Sequence, residues 1–442
     1  DCRWHSSMFA IVAFGLLVCW SNAVGGLILA QLKALGWTDN STTATFSAIT
    51  TAGMFLGALV GGIIGDKTGR RNAFILYEAI HIASMVVGAF SPNMDFLIAC
   101  RFVMGVGLGA LLVTLFAGFT EYMPGRNRGT WSSRVSFIGN WSYPLCSLIA
   151  MGLTPLISAE WNWRVQLLIP AILSLIATAL AWRYFPESPR WLESRGRYQE
   201  AEKVMRSIEE GVIRQTGKPL PPVVIADDGK APQAVPYSAL LTGVLLKRVI
   251  LGSCVLIAMN VVQYTLINWL PTIFMTQGIN LKDSIVLNTM SMFGAPFGIF
   301  IAMLVMDKIP RKTMGVGLLI LIAVLGYIYS LQTSMLLITL IGFFLITFVY
   351  MYVCYASAVY VPEIWPTEAK LRGSGLANAV GRISGIAAPY AVAVLLSSYG
   401  VTGVFILLGA VSIIVAIAIA TIGIETKGVS VESLSIDAVA NK

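Results

Sequence analysis

Gly65-Asp66-Lys67-Thr68-Gly69-Arg70-Arg71 closes one apolar run of the chain, and Met306-Asp307-Lys308-Ile309-Pro310-Arg311-Lys312 closes another far downstream. In both, an acid, a base and then a basic pair fall at matching offsets. Two further coincidences keep this register. Glu121 precedes Arg128-Gly129 in one loop, and Glu363 precedes Arg372-Gly373 in another. One run exits at Pro186-Glu187-Ser188, and the last exits at Ile424-Glu425-Thr426. Three matches in register indicate a duplicated unit.

The runs between these loops have the length of membrane spans. A hydrocarbon core of about 30 Å takes around 20 apolar residues of helix. Twelve runs meet that measure, at 8–32, 44–65, 73–92, 96–118, 130–156, 164–185, 249–272, 284–306, 313–331, 335–360, 374–397 and 401–424. No alternating strand pattern of the barrel kind is present, so the spans are predicted to be helices. The fold class is an all-α membrane protein of two six-helix pseudo-repeats. Residues 1–185 form the first bundle, 186–248 a cytoplasmic linker with amphipathic helices, 249–424 the second bundle and 425–442 a tail.

Composition agrees. Of 442 residues 57% are hydrophobic and only 12% charged, about half the charge of a soluble domain. Mean hydropathy is +0.77. A soluble enzyme, a nucleic-acid-binding module and a disordered scaffold are excluded as first readings. The net charge of +8 comes from one set of loops, which carries Lys67, Arg70, Arg71, Arg126, Arg128, Lys308, Arg311, Lys312, Lys370 and Arg372. By the positive-inside rule that side, both termini and the linker are cytoplasmic. The six cysteines lack metal or disulfide spacing, and all but Cys2 sit in apolar runs as packing residues. The first residue is Asp1, so residues before it are expected. The first apolar run is longer than that of a cleavable signal peptide.

The loops together resemble the signature motifs of the major facilitator superfamily, most closely its sugar-porter and metabolite-symporter branch. The resemblance rests on Gly61 to Arg71, Pro186-Glu187-Ser188-Pro189-Arg190-Trp191-Leu192, Pro362-Glu363-Ile364-Trp365-Pro366-Thr367 and Glu425-Thr426-Lys427-Gly428. It covers nearly the whole chain, in order. It implies alternating access and a cytoplasmic gate made of Asp66, Arg70, Glu121, Arg128, Glu187 and Arg190 in one half and Asp307, Arg311, Glu363 and Arg372 in the other. Arg70 is placed to bridge to Glu121, and Arg311 to Glu363. Asp66, at a helix end, can accept from amides at a neighbouring helix N-terminus. The alternative is that these charges only set topology and loop shape.

A charge inside a span is functional until shown otherwise. Arg382 lies in the run 374–397, roughly 14 Å from its start at 1.5 Å per residue, with Gly381, Ser384 and Gly385 around it. Its span has no acid, so a carboxylate or phosphate ligand held bidentately suits it. The segment Asn378 to Gly385 also resembles the eleventh span of organic-anion and metabolite transporters, where an arginine accompanies anionic substrates. Arg101 resembles the fourth-span arginine of proton-coupled sugar porters, which pairs with a first-span aspartate. Ser21 or Asn22 stands where that acid would be, and neither titrates near neutral pH. Glu78, with His81 one turn on, is the remaining carboxyl well inside a span and a candidate proton site. An ion pair of Glu78 with Arg134 is the structural alternative. The sugar porters' seventh-span Gln-Gln pair falls on Ala258 and Met259, and their tenth-span tryptophan falls near Ala358. Beside Arg382, the polar candidates for substrate contact are Asn22, Arg101, Asn140, Gln263, Tyr264, Asn268 and Tyr355.

The reading is a transporter moving a small polar metabolite (a sugar, sugar acid or other carboxylate) across a bacterial-type inner membrane. Symport, uniport and exchange stay open. No cofactor, metal or nucleic-acid partner is expected; the partners are substrate, lipid and, under symport, protons, and the protein is expected to be a monomer. The alternatives are a non-transporting sensor of the same fold and a drug or metabolite exporter. No Ser-His pair, paired carboxylates or GxxxxGK[ST] loop supports an enzyme or an ATP-driven pump.

Overall fold

The computed structural model describes residues 3–122, 128–217, 236–306, 308–366 and 369–427; within these, the side chains at 3, 4, 66, 116–118, 120–122, 128–130, 132, 190, 370 and 371 lie outside the description. Among the described residues the regular structure is helical throughout. Lipid leaves a backbone no water to bond, so every amide must be satisfied within its own segment.

The first span is α1 (Arg3–Val18) and α2 (Gly25–Ala34), parted by a turn at 19–24. The next three are α3 (Asn40–Thr68), α4 (Arg70–Ala89) and α5 (Met94–Tyr122). The fifth is split into α6 (Arg128–Asn140) and α7 (Ser142–Leu153), with Pro144 in the first turn of α7, where a missing N–H costs nothing. The sixth is α8 (Ala159–Tyr184). After the linker helices α9 (Pro189–Ser194), α10 (Tyr198–Thr216) and α11 (Tyr237–Leu240) comes the seventh span, α12 (Gly243–Thr276). The eighth is α13 (Leu281–Met292) with α14 (Gly294–Val305), the ninth α15 (Arg311–Ser330). The tenth runs through α16 (Met335–Cys354), a π-helical turn at Tyr355–Tyr360 and α17 (Val361–Glu363). The last two spans share α18 (Lys370–Ile422). Its 53 residues would reach about 80 Å if straight. Gly400, with φ 66° and ψ −160°, breaks it where the hydropathy runs part. Nine of these stretches are long and apolar enough to cross a membrane. Dividing α18 at Gly400 and counting the split first and fifth spans makes twelve.

Contacts group the chain into two compact units. One comprises Asp1–Val24, Ile49–Ser142 and Glu160–Asp228, the other Gly25–Ala48, Tyr143–Ala159 and Gly229–Lys442. In the first, α3 and α5 meet along glycines. A Cβ on Gly53 would strike the Phe102 carbonyl and one on Gly57 the Val106 carbonyl, while one on Gly61 would lie 2.6 Å from Ala110 Cα. Such small-residue stripes let backbones touch in lipid. In the second unit, α14 meets α16 the same way, with Gly294 against Phe343 and Thr347 and Gly298 against Thr347. The second–fourth seam thus has a counterpart in the eighth–tenth seam. Also within the second unit, a Cβ on Gly26 would meet the Ile267 carbonyl and lie 2.9 Å from that of Asn268, and the Asn288 amide donates to Ser147 Oγ at 3.2 Å.

The linker helix α10 is polar on its outer face, with exposed pairs Arg197–Glu200 and Glu202–Arg206. Its inner side buries Ala201, and Ile208 packs on a core of Met8, Val12, Leu115, Phe119, Trp131, Val135, Ala181 and Phe185. The amphipathic reading of this segment therefore describes a helix docked on the first unit. Most of the Pro- and Gly-rich stretch 217–236 lies outside the described residues.

Candidate functional site

On α4, Glu78 and His81 sit one turn apart, and both are fully buried. Glu78 Oε2 and His81 Nδ1 are 3.5 Å apart, within ion-pair reach but long for a hydrogen bond. The other ring nitrogen, Nε2, lies 2.7 Å from Ser21 Oγ. Ser21 belongs to the turn that breaks the first span, and a broken helix leaves carbonyls without an amide four residues on. Arg101 of α5 uses that carbonyl: Nη1 donates to Ser21 O at 2.7 Å, and Nε donates to Thr50 Oγ1 of α3 at 3.2 Å. Gly107 lets α5 approach, since a Cβ there would come 3.0 Å from the His81 nitrogen. Arg101, Ser21, His81 and Glu78 thus form one buried chain drawn from the first, third and fourth spans. Asn22 follows Ser21 in the same turn, half-buried. Arg134 is exposed instead, its guanidinium over the Trp131 ring at 5.3 Å.

In the second unit, Arg382 is partly buried on α18, and its Nη1 is buried with no hydrogen-bond partner among the described residues. The residue before it makes the contact with α12: a Cβ on Gly381 would lie 2.8 Å from Leu256 Cβ and 3.0 Å from Asn260 Nδ2. Gln263 and Tyr264 on α12 are half-buried and Asn268 is buried, beside the Gly26 contact. Two other candidates are committed to local packing. The Asn140 amide donates to Ser136 O of its own helix at 2.8 Å. Tyr355 is fully buried, stacked on Tyr360 with ring centroids 5.0 Å apart and pressed against Gly315.

Two charge clusters close the helix ends. The Glu187 carboxylate accepts from the α4 amides of Arg70 at 2.7 Å and Arg71 at 3.3 Å, where the helix dipole favours an anion. Gly69 makes room for it, being left-handed (φ 96°) and so close that a Cβ would collide with the carboxylate. In the second unit Glu425 does the same for α15, accepting from Arg311 N at 2.8 Å and Lys312 N at 3.2 Å. Burial pushes the Glu425 carboxyl up, but the amides of Arg311, Lys427 and Lys312 outweigh this and hold it below its ordinary value. The Arg311 guanidinium adds a two-pronged pair to Glu363, at 3.0 and 3.1 Å, and Thr426 Oγ1 donates to the same carboxylate at 2.6 Å. Arg372 lies over the Tyr237 ring at 5.2 Å. Asp307 and the side chains of Asp66, Glu121, Arg128 and Arg190 lie outside the described residues.

The family model of the Major Facilitator Superfamily matches residues 9–389. The chain belongs to this superfamily. It is 43% identical to the inner membrane metabolite transport protein YdjE of Escherichia coli (strain K12), over 98% of this chain and 96% of that one. It is 26% identical to the niacin transporter NiaP of Acinetobacter baylyi, over 87% and 85%. Among solved structures, a partially occluded, inward-open conformation of the xylose transporter XylE from E. coli matches with a TM-score of 0.76 at 18% identity, covering 97% of this chain and all of that one. This last likeness concerns the fold. The protein is a multi-pass membrane transporter of the superfamily and not an enzyme.

Within that superfamily the fourth-span arginine makes the informative departure. The resemblance implied a first-span acid as its partner; a backbone carbonyl takes that place, and the carboxylate stands two links away at Glu78. Reading residue types alone misses Ser21 and Thr50, because a carbonyl freed by a helix break leaves no mark in the sequence. Glu425 was visible as the repeat partner of Glu187 and as the start of a signature motif, but not as the acceptor of the α15 amides.

Proposed function

We propose that the protein carries a small carboxylate-bearing metabolite across a bacterial inner membrane by alternating access, with Arg382 as the anchor for the carboxylate. The observation that supports this is the buried, unpartnered Nη1 of Arg382. A guanidinium nitrogen without an acceptor costs free energy in the empty protein, and a ligand oxygen relieves it. Asn260, across the Gly381 contact, supplies a neighbouring amide, and Gln263, Tyr264 and Asn268 offer further polar groups along the same helix. One relative supports the same class: it is named a niacin transporter, and niacin is a carboxylate. The loop charges orient both termini to the cytoplasm. The six-helix halves 1–185 and 249–424 are the moving bodies, and the Glu187 and Glu425 clusters, with Arg311 and Glu363, serve as their cytoplasmic latches.

The test is uptake by purified protein in liposomes, using labelled niacin, D-xylose and a set of sugar acids. A carboxylate is expected to accumulate. Arg382→Ala is expected to lower its uptake at least about thirtyfold, the low end for removing one partner of a buried, hydrogen-bonded charge pair. Undiminished uptake by that variant, or transport of neutral sugar alone, overturns the anion assignment.

A further inference from the structure

Glu78 presents an unsolved account in the empty protein. Both of its oxygens are buried without a hydrogen-bond donor among the described residues, and so is His81 Nδ1 opposite. An ionised carboxylate in that position would lack both water and donors, which is too costly to sustain alone. The groups facing the pair are few. From the first span come Cys19, packed against Tyr77 with Ala110 and Leu111 of α5, and Ser21. The fourth span brings Arg101, through Ser21. Tyr77, the residue before Glu78, packs against Ile64 and donates its hydroxyl to the Gly61 carbonyl at 2.8 Å. Arg101 is spoken for by Ser21 O and Thr50. Among the described residues, the way left to neutralise Glu78 is a proton, on its own oxygen or on His81.

We propose that Glu78 and His81 form the proton-carrying site of this transporter, linked through Ser21 to Arg101 and to the break in the first span. This deepens the transport reading and rests on it. Uptake of one proton converts a carboxylate beside a neutral imidazole into either a carboxylic acid beside imidazole or a carboxylate beside imidazolium. No other bond changes, and release returns the proton to water. The link to the first span follows from donor rules. With a neutral ring carrying its hydrogen on Nδ1, Nε2 accepts from the Ser21 hydroxyl. In the imidazolium both nitrogens donate, so Nε2–H must point at Ser21 Oγ. When the proton settles on His81, it therefore reverses the hydrogen bond at the residue whose carbonyl holds Arg101, in the turn between α1 and α2.

Two arms test this on the full-length protein in liposomes. The chain has only two histidines, so with ¹⁵N-histidine label and a His5→Gln background, His81 gives a single nitrogen pair by magnetic resonance. Infrared difference spectra follow the carboxylic C=O band. One of these signals is expected to respond to acidification, and Glu78→Gln is expected to abolish or displace it. If neither signal titrates, the proposal is wrong whatever the substrate. The second arm compares niacin accumulation driven by a pH gradient with gradient-free niacin counterflow. Glu78→Gln, and independently His81→Gln, should lower the ratio of the first to the second by about tenfold, a typical coupling between two sites. A wild-type ratio in both variants overturns the proposal. Absence of any counterflow in the wild type instead counts against niacin as substrate, and the spectroscopic arm then decides the proton site alone.

Discussion

Arg101 in the fourth span and Arg382 in the eleventh are both guanidinium groups inside membrane-spanning helices, one in each compact unit, and their surroundings differ. Arg101 is 1% exposed and donates to Ser21 O and Thr50 Oγ1. Arg382 keeps a buried Nη1 with no acceptor among the described residues. Neither has an acid within its own apolar run, 96–118 or 374–397. The difference arises from what the neighbouring helices present. A broken first helix offers Arg101 a spare carbonyl, whereas the glycine beside Arg382 brings in an Asn260 amide that already donates to Leu256 O at 2.7 Å. One guanidinium is held by the neighbouring helices; under the proposed function the other receives the substrate.

The sharpest way to break this contrast is to remove each side chain and measure stability in detergent. Arg101→Ala leaves the Ser21 carbonyl and the Thr50 hydroxyl buried without their donor, and is expected to cost about 3 kcal/mol, from a few lost bonds and the desolvated acceptors. Arg382→Ala removes an unsatisfied donor and should leave the thermal midpoint unchanged or higher. Equal falls in the two variants would erase the distinction. Next in size is ligand stabilisation. A transported carboxylate at a hundred times its Kd should stabilise the wild type by about 2.7 kcal/mol and leave the midpoint of Arg382→Ala where it was.

The contrast between halves extends to the helix-end clusters, with smaller effects. Glu187→Ala deprives α4 of its anion and should cost about 1 kcal/mol, the usual scale of a lost N-terminal cap. The smallest effect is the pH response of its counterpart. The Glu425 carboxyl is held below its ordinary value of 4.5 by three amides. Its contribution is therefore complete above that pH and is lost as the medium acidifies through the lower, folded value. Glu425→Gln should flatten the fall in thermal midpoint over that acid window, and an unchanged acid limb would show that the amides do not depend on its charge.

Hydropathy made the spans legible because lipid tolerates so few alternatives, and the paired loops showed the duplication because their charges repeat in register. The interruptions were less visible. The turn at 19–24 contains neither proline nor a charge to announce it; it persists because a distant arginine occupies the freed carbonyl. Asp66 drew attention as an acid at a helix end, and its side chain lies outside the described residues; the carboxylate on the α4 amides of Arg70 and Arg71 is that of Glu187, more than a hundred residues away along the chain. Pairings of that range depend on the assembled bundle. Glu78 and His81 were readable as a pair from their spacing. That they connect to Arg101 was not, since the connection runs through a serine that reads as an absent aspartate.

The π-helical turn at Tyr355–Tyr360 carries a last implication. Such a turn takes in one residue more than its α-helical neighbours, so every side chain beyond it is rotated around the axis relative to an uninterrupted helix. Equating residues of this span by counting with those of a relative that lacks the turn slips in phase at that point. Ala358, matched by counting to a tryptophan of the sugar porters, sits inside the inserted turn, and comparisons of specificity along the tenth span are best anchored separately on Tyr352 before it and Glu363 after it.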